Sequence, residues 1–300
     1  MNRHSGTAII AALIPHRLHR STARSRSEPN WLAPDVLEEW PVEPSQRLRI
    51  GCVKYLNARP LIHGWPGPVA VDHPAALCVQ LALGELDVAL VSSFEFLRNP
   101  VYRIVDDISI SSAGPVYSVF VAYAGETPLP EIEVDPASQT SVALLRYLVD
   151  ERGYSFRSFE TPVDILSPLE PERARLLIGD QAIRFRQKFA DSYSYWDLGE
   201  EWYSLTKLPF VYALWLVRPE VFGAEIIADR LRALRDENLT KIDNLIAEES
   251  EFDREFCVRY YREHVRFNFG EMEKEGLISF QHLCEKHEIL PHRVLDLRLI

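Results

Sequence analysis

The sequence lacks most of the patterns that announce a common chemistry. Its 300 residues hold four cysteines, Cys52, Cys78, Cys257 and Cys284, with no two within five positions of each other. No CxxC pair exists, so a thiol redox motif and a cysteine-based zinc site are set aside. The thiols read as small buried hydrophobes in a reducing compartment. The nine histidines form no HExxH, and His282 and His287 stand five apart, on different faces of a helix, so no metal is expected. There is no GxGxxG and no GxxxxGK[ST], which takes weight from nucleotide-dependent chemistry. There is no GxSxG elbow either, and a nucleophilic serine triad is disfavoured. The longest clean apolar runs, Ala8–Ile14 and Leu208–Val217, fall well short of the ~20 residues of a membrane span. Positive charge is not in excess: 33 Lys+Arg stand against 44 Asp+Glu, a net of -11. That balance argues against nucleic acid or an anionic membrane as a partner.

What is present is ordinary globular material, 47% hydrophobic and 26% charged, long enough for one large domain or two of usual size. The charge is uneven. Residues 1–27 hold five arginines and no acid, leaving the rest with 28 basic against 44 acidic groups, a net of -16. This basic, Ser-rich start carries a seven-residue apolar patch that ends at Pro15, a poor match to a secretory signal. Residues 1–47 are expected to form a disordered leader, with an interaction role or a cleaved signal as alternatives. Order is expected from Leu48.

From there the pattern alternates. Leu48–Val53 reads as a strand, Ala75–Leu83 as a helix ending at Gly84, and Leu86–Val91 as a strand buried on both faces. That order suggests a βαβ unit in an α/β fold. Val116–Tyr123 is a candidate crossing into a second domain. Glu131–Asp135 reads as a strand, Val142–Val149 as a helix and Leu176–Ile183 as a buried strand turning into a helix. Leu208–Val217 is a candidate return crossing, and helices are expected over 224–235, 239–249, 252–264 and 275–287. Two crossings make a hinged pair of lobes with a cleft: 48–122 plus 211–300 for the first, 123–210 for the second. No internal repeat is visible.

The candidate site residues sit where such a cleft would be, beyond strand ends and at helix starts. Ser138, Thr140 and Ser141 open a helix, where free N–H groups favour an anion; the alternative is a plain N-cap. Asn57 follows the first strand and can both donate and accept, or simply serve a turn. Ser92 and Ser93 follow the buried strand. Ser111, Ser112, Gly114 and Ser118 form a second hydroxyl-rich cluster, and Gly114 would allow close backbone approach. Gly179-Asp180 ends another buried strand; on physical grounds alone Asp180 reads better as a helix cap than as a catalytic carboxylate. The aromatic stretch Tyr193–Trp202 reads as packing.

Seven blocks in order carry a family resemblance. They are Tyr55-Leu-Asn-Ala-Arg-Pro-Leu61, Gly84–Phe96, Gly114-Pro-Val-Tyr-Ser-Val119, Ser138-Gln-Thr-Ser-Val142, Leu177-Ile-Gly-Asp-Gln-Ala182, Asp197–Trp202 and Leu208-Pro-Phe-Val211. Together, from Leu48 onward, they resemble the chorismate dehydratases of the futalosine route to menaquinone. The resemblance implies a two-lobed, type II periplasmic-binding-protein-like α/β fold with a central cleft and hinge. It also implies loss of water from chorismate to give 3-[(1-carboxyvinyl)oxy]benzoate, with no cofactor and no metal, in the cytoplasm. It puts the active-site asparagine at Asn57 and the active-site serine at Ser118, with Ser92, Ser93, Gly114, Ser138, Thr140, Ser141, Gly179 and Asp180 around the substrate. Two positions depart from the family pattern: Gln139 stands where many members have Arg, and Lys207 where many have Gly. The rival readings are a non-catalytic binding protein for a small carboxylate and a later enzyme of the same route.

Overall fold

A computed structural model describes residues 48–125, 131–135, 138–160 and 164–300; the leader expected at 1–47 lies outside them. The chain first builds β1 (Ile50–Val53), a 3-10 turn (Leu56–Leu61), β2 (Val69–Asp72), α1 (Pro74–Ala82), β3 (Val88–Ser92), α2 (Ser93–Arg98) and β4 (Arg103–Ser112). It then forms β5 (Val119–Tyr123), β6 (Glu131–Val134), α3 (Gln139–Glu151), β7 (Arg157–Glu160), β8 (Ala174–Ile178), α4 (Gly179–Lys188), β9 (Ser194–Asp197) and α5 (Leu198–Thr206). The return brings β10 (Phe210–Val217), α6 (Ala224–Thr240), α7 (Ile242–Ala247), α8 (Arg254–Arg259), a π-turn (Tyr260–His264) and α9 (Glu271–Lys286).

Local signals explain many of these elements. All five residues of β3, Val-Ala-Leu-Val-Ser, are buried, as a central strand covered on both faces requires. Pro74 opens α1 at a position where its missing N–H costs nothing, and Gly84 just beyond the helix takes φ +73. The Asp197 side chain caps α5, accepting from the N–H groups of Gly199 and Glu200. That helix ends at Lys207 with φ +61, a left-handed turn that glycine enters without strain. The glycine common at this position in the family therefore has a backbone reason, and Lys207 carries the strain.

The two sheets share one plan. Their strand orders are β2-β1-β3-β10-β4 and β7-β6-β8-β5-β9. The first three strands of each run parallel. The fourth, β10 or β5, runs antiparallel to both its neighbours. Each inserted strand is the one that has just crossed from the other lobe. This corrects the expected boundary: residues 119–122, assigned to the first lobe, pair within the second sheet, and Phe210, assigned to the second lobe, pairs with Ser112 of the first. The crossings are therefore 113–118 and 207–209.

At the return crossing the lobes share an aromatic knot. The Trp202 ring lies 5.2 Å from Phe210 and 5.8 Å from Phe280, and all three are buried. The knot closes around Gly276 of α9, whose missing side chain lets the Pro209 carbonyl in; a Cβ there would run into that oxygen. Alanine is the better helix former by about 1 kcal/mol, but the clash is with backbone and the neighbouring core cannot yield. Gly276→Ala is expected to destabilise the protein by about 1–3 kcal/mol, read as a lower midpoint in urea; an unchanged or raised midpoint would refute this account of the crossing.

Candidate functional site

The cleft lies beyond the carboxyl ends of β1, β3, β6 and β8, the location that open parallel sheets favour for ligands. Between the lobes is a cavity of about 70 Å³. Asn57, Ser92, Ser118, Ser138, Thr140, Ser141 and Gly179 all line it, together with Tyr55, Gln139, Tyr212 and apolar side chains such as Val53, Ile110, Val116 and Ile178. Residues that the chain separates by more than a hundred positions thus meet on one wall. The cavity is small beside the roughly 300–1,000 Å³ of ligand pockets.

Each wall group has a structural reason to be there. Ser138 is the N-cap residue of α3 by position, but its side chain makes no cap bond; its Oγ is buried and unpartnered. The plain-cap reading therefore fails for Ser138, and the first amides of a 13-residue helix remain open to a ligand. Gln139 also leaves a buried Oε1 without a partner. Thr140 bonds Ser92 hydroxyl to hydroxyl across the cleft and accepts from the Phe94 N–H at 3.3 Å. Ser118 receives the Tyr260 phenol proton at 2.8 Å, and its carbonyl accepts from the Gly179 N–H at 2.8 Å. Gly179 has φ +59, and a Cβ there would strike the Tyr55 ring, so conformation and space both demand glycine. Asn57 keeps a buried Oδ1 without a partner.

Three expected site residues are not on the wall. Ser93 is fully buried and donates to the Val211 carbonyl at 2.6 Å, tying α2 to β10. Gly114 takes φ +121 in the first crossing, where its carbonyl accepts from Ser112 Oγ at 3.1 Å; its role is to turn the chain. Asp180 neither caps α4 nor faces the cavity. Its carboxyl reaches from the second lobe to accept the Leu56 N–H of the first, at 2.8 Å. Burial lifts the Asp180 acid to about 7, outweighing the Leu56 N–H and Arg184, which pull it down; Glu251 and Glu249 add to the lift.

Two wall or near-wall groups, Tyr212 and Tyr260, carried no sequence signal. Tyr212 sits in β10 with its hydroxyl 3.1 Å from Ser112 Oγ. Burial holds the Tyr55 and Tyr212 phenols well above the usual range, so both stay protonated. Among the described residues, no His, Lys, Arg, Asp or Glu lines the cavity. The wall is neutral, rich in hydroxyls, and closed at one end by the positive pole of α3. Such a wall can hold carboxylates and orient a hydroxyl, and it offers no strong base of its own.

A family model for menaquinone biosynthesis matches residues 48–286. The chorismate dehydratase of Thermus thermophilus is 30% identical over 257 residues, covering 77% of this chain and 93% of that protein. Among solved structures, the Archaeoglobus fulgidus protein AF1704 superposes with a TM-score of 0.66 at 21% identity, covering 81% of this chain and 98% of that one. The periplasmic aliphatic sulphonate binding protein SsuA of Escherichia coli gives 0.53 at 13% identity, covering 84% and 90%. The two-lobed fold is therefore of the periplasmic-binding-protein kind, as the sequence blocks implied.

The Asp180 contact has a measurable signature. Its acid is ordinary near 3.8 when unfolded and near 7 when folded, so the folded state holds the extra proton between those values. Stability contributed by this group then falls as pH rises from about 4 to 7 and levels above that. Asp180→Asn keeps the acceptor for Leu56 and removes the titration. Its unfolding midpoint, compared with the parent's, is expected to gain between pH 5 and pH 8; parallel pH profiles would refute the buried-acid assignment.

Proposed function

The chain belongs to the menaquinone-biosynthesis family, and we propose that it is a chorismate dehydratase, a hydro-lyase acting at the cleft between the lobes. The observation that carries this reading is the neutral, hydroxyl-lined cavity at the α3 N-terminus, with Asn57 and Ser118 on facing lobes. Chorismate brings two carboxylates and a ring hydroxyl. Helix amides together with Ser138, Thr140 and Ser141 suit one carboxylate. Asn57 and Ser118 suit the second carboxylate or the departing hydroxyl. The four free cysteines are all buried, which fits a reducing compartment, the cytoplasm.

The reaction removes the ring proton beside the ether and the neighbouring hydroxyl. The C–H electron pair becomes part of the ring π system as the C–O bond breaks, and proton and hydroxide leave as water. Aromatisation drives the step, so the protein's task is to orient and to stabilise developing charge. With no ionisable base on the wall, the proton acceptor in this reading is the substrate's own carboxylate. A binding protein of this fold would close on the same ligand and release it unchanged.

Mixing the purified protein with chorismate is expected to give the ultraviolet spectrum of an aromatic product; none at high protein concentration would sink the proposal. Asn57→Ala and Ser118→Ala are expected to fold and to lose about 10²–10³-fold in kcat, the usual cost of one oriented hydrogen-bonding group. Parent-like turnover would remove that residue from the site. Asp180→Asn is expected to keep substantial turnover; complete loss would assign the base to Asp180 instead of the substrate.

A further inference from the structure

Tyr260 is not on the cavity wall, yet it bonds one side chain assigned to the chemistry and neighbours the other. Its phenol O–H donates to Ser118 Oγ at 2.8 Å, and the Asn57 side chain is near enough to act on the same phenol. A hydroxyl has one proton and two lone pairs. Tyr260 gives its proton to one lone pair of Ser118. Ser118 is then left with its proton free for the cavity. Burial keeps the phenol protonated, so it is a neutral donor throughout the working pH range.

The backbone around Tyr260 is built to hold it. It opens the π-turn Tyr260–His264, a form that recurs where a helix must re-aim a side chain. Its ring is fully buried and stacks on Phe256 at 5.5 Å with an interplanar angle of 19°. The next residue, Tyr261, donates its hydroxyl proton to the Leu56 carbonyl at 2.8 Å. Tyr261 thus grips the 3-10 turn that carries Asn57, while Tyr260 holds Ser118. Asn57 follows β1 of the first sheet and Ser118 precedes β5 of the second.

We infer that Tyr260 is a positioning residue of this site, fixing Ser118 as a hydrogen-bond donor toward the substrate. The inference rests on the dehydratase reading and deepens it. Tyr260→Phe keeps the ring stack and deletes only the phenol oxygen. It is expected to lower kcat for chorismate about 10–100-fold while KM stays within about threefold, since the change removes orientation and not contact with substrate. A role in folding alone would not produce the second expectation: in a Ser118→Ala background the same substitution costs less than about twofold, because its effect runs through Ser118. If Tyr260→Phe does not fold, 3-fluorotyrosine placed at 260, which keeps ring and hydroxyl but changes donor strength, takes its place in the cycle. It is expected to shift kcat in the parent and not in Ser118→Ala. Losses that add in the double variant, or a kcat unmoved by the change at 260 while Ser118→Ala is impaired, overturn the inference and leave the dehydratase reading standing. No turnover by the parent protein overturns both.

Discussion

One buried carboxylate holds the site's geometry together. Asp197 accepts four backbone N–H groups: Val116 at 3.1 Å and Tyr117 at 2.7 Å from the first crossing, and Gly199 and Glu200, each at 3.0 Å, from the start of α5. Tyr117 sits at φ +67, a left-handed conformation that costs a non-glycine residue about 1–2 kcal/mol. Bonds to a charged acceptor are worth about 1.5–3 kcal/mol each, enough to hold that turn. Burial raises the Asp197 acid, and the N–H groups from Glu200, Val116 and Tyr117 pull the other way. The turn matters because Ser118 is the next residue. α5 is also pressed against the crossing: a side chain at Gly199 would meet the Tyr212 hydroxyl, the Gly114 carbonyl and Ser112. The same carboxylate therefore sets the crossing, the inserted strand β5 and the direction of the serine.

Other charged groups near the cleft likewise act on the architecture. Arg59, in the same turn as Asn57, is 3% exposed and pairs with Glu249 at 2.6 Å, anchoring that turn to the segment after α7. Asp180 bonds the Leu56 amide from the opposite lobe. Arg184 pairs with Glu251, and His73 stands 3.4 Å from Asp135; each pair spans the two lobes. These contacts ring the cleft and draw its halves together, while the cavity wall stays uncharged.

The sequence made the central strands legible and the edges illegible. β1, β3, β8 and β10 are compact apolar runs whose burial can be read directly. β4 hides because Asp106 and Asp107 interrupt it, Asp107 with φ +65, and its pairing with β10 shifts register twice. β9 is an aromatic tetrapeptide that reads as packing, and β7 is a short polar edge strand. The shared plan of the two sheets leaves no repeat in the residues, since topology constrains strand order and not side chains. Most residues proposed at strand ends and helix starts line the cavity. Ser93 and Gly114 stand in equally good positions along the chain and lie off its wall, a difference that depends on side-chain direction and not on spacing. Tyr260 lies 142 residues from Ser118, inside a run that reads as plain helix, and nothing local marks the π-turn that aims it.

An uncharged wall is an unexpected answer to a dianionic substrate on a chain of net charge -11, and the reaction explains it. The body's field disfavours the substrate at long range, but screening confines that penalty to about 10 Å, so recognition is local. Substrate and product in the proposed dehydration are both dianions with the same two carboxylates. Fixed cations on the wall would bind both equally, lowering KM without raising kcat and slowing release of product. What differs along the path is the departing hydroxyl and the charge that grows on its oxygen. A donor aimed at that oxygen favours the transition state over either end. In the proposed reading Ser118, held by its phenol partner, is such a donor, and helix amides serve the carboxylates that do not change.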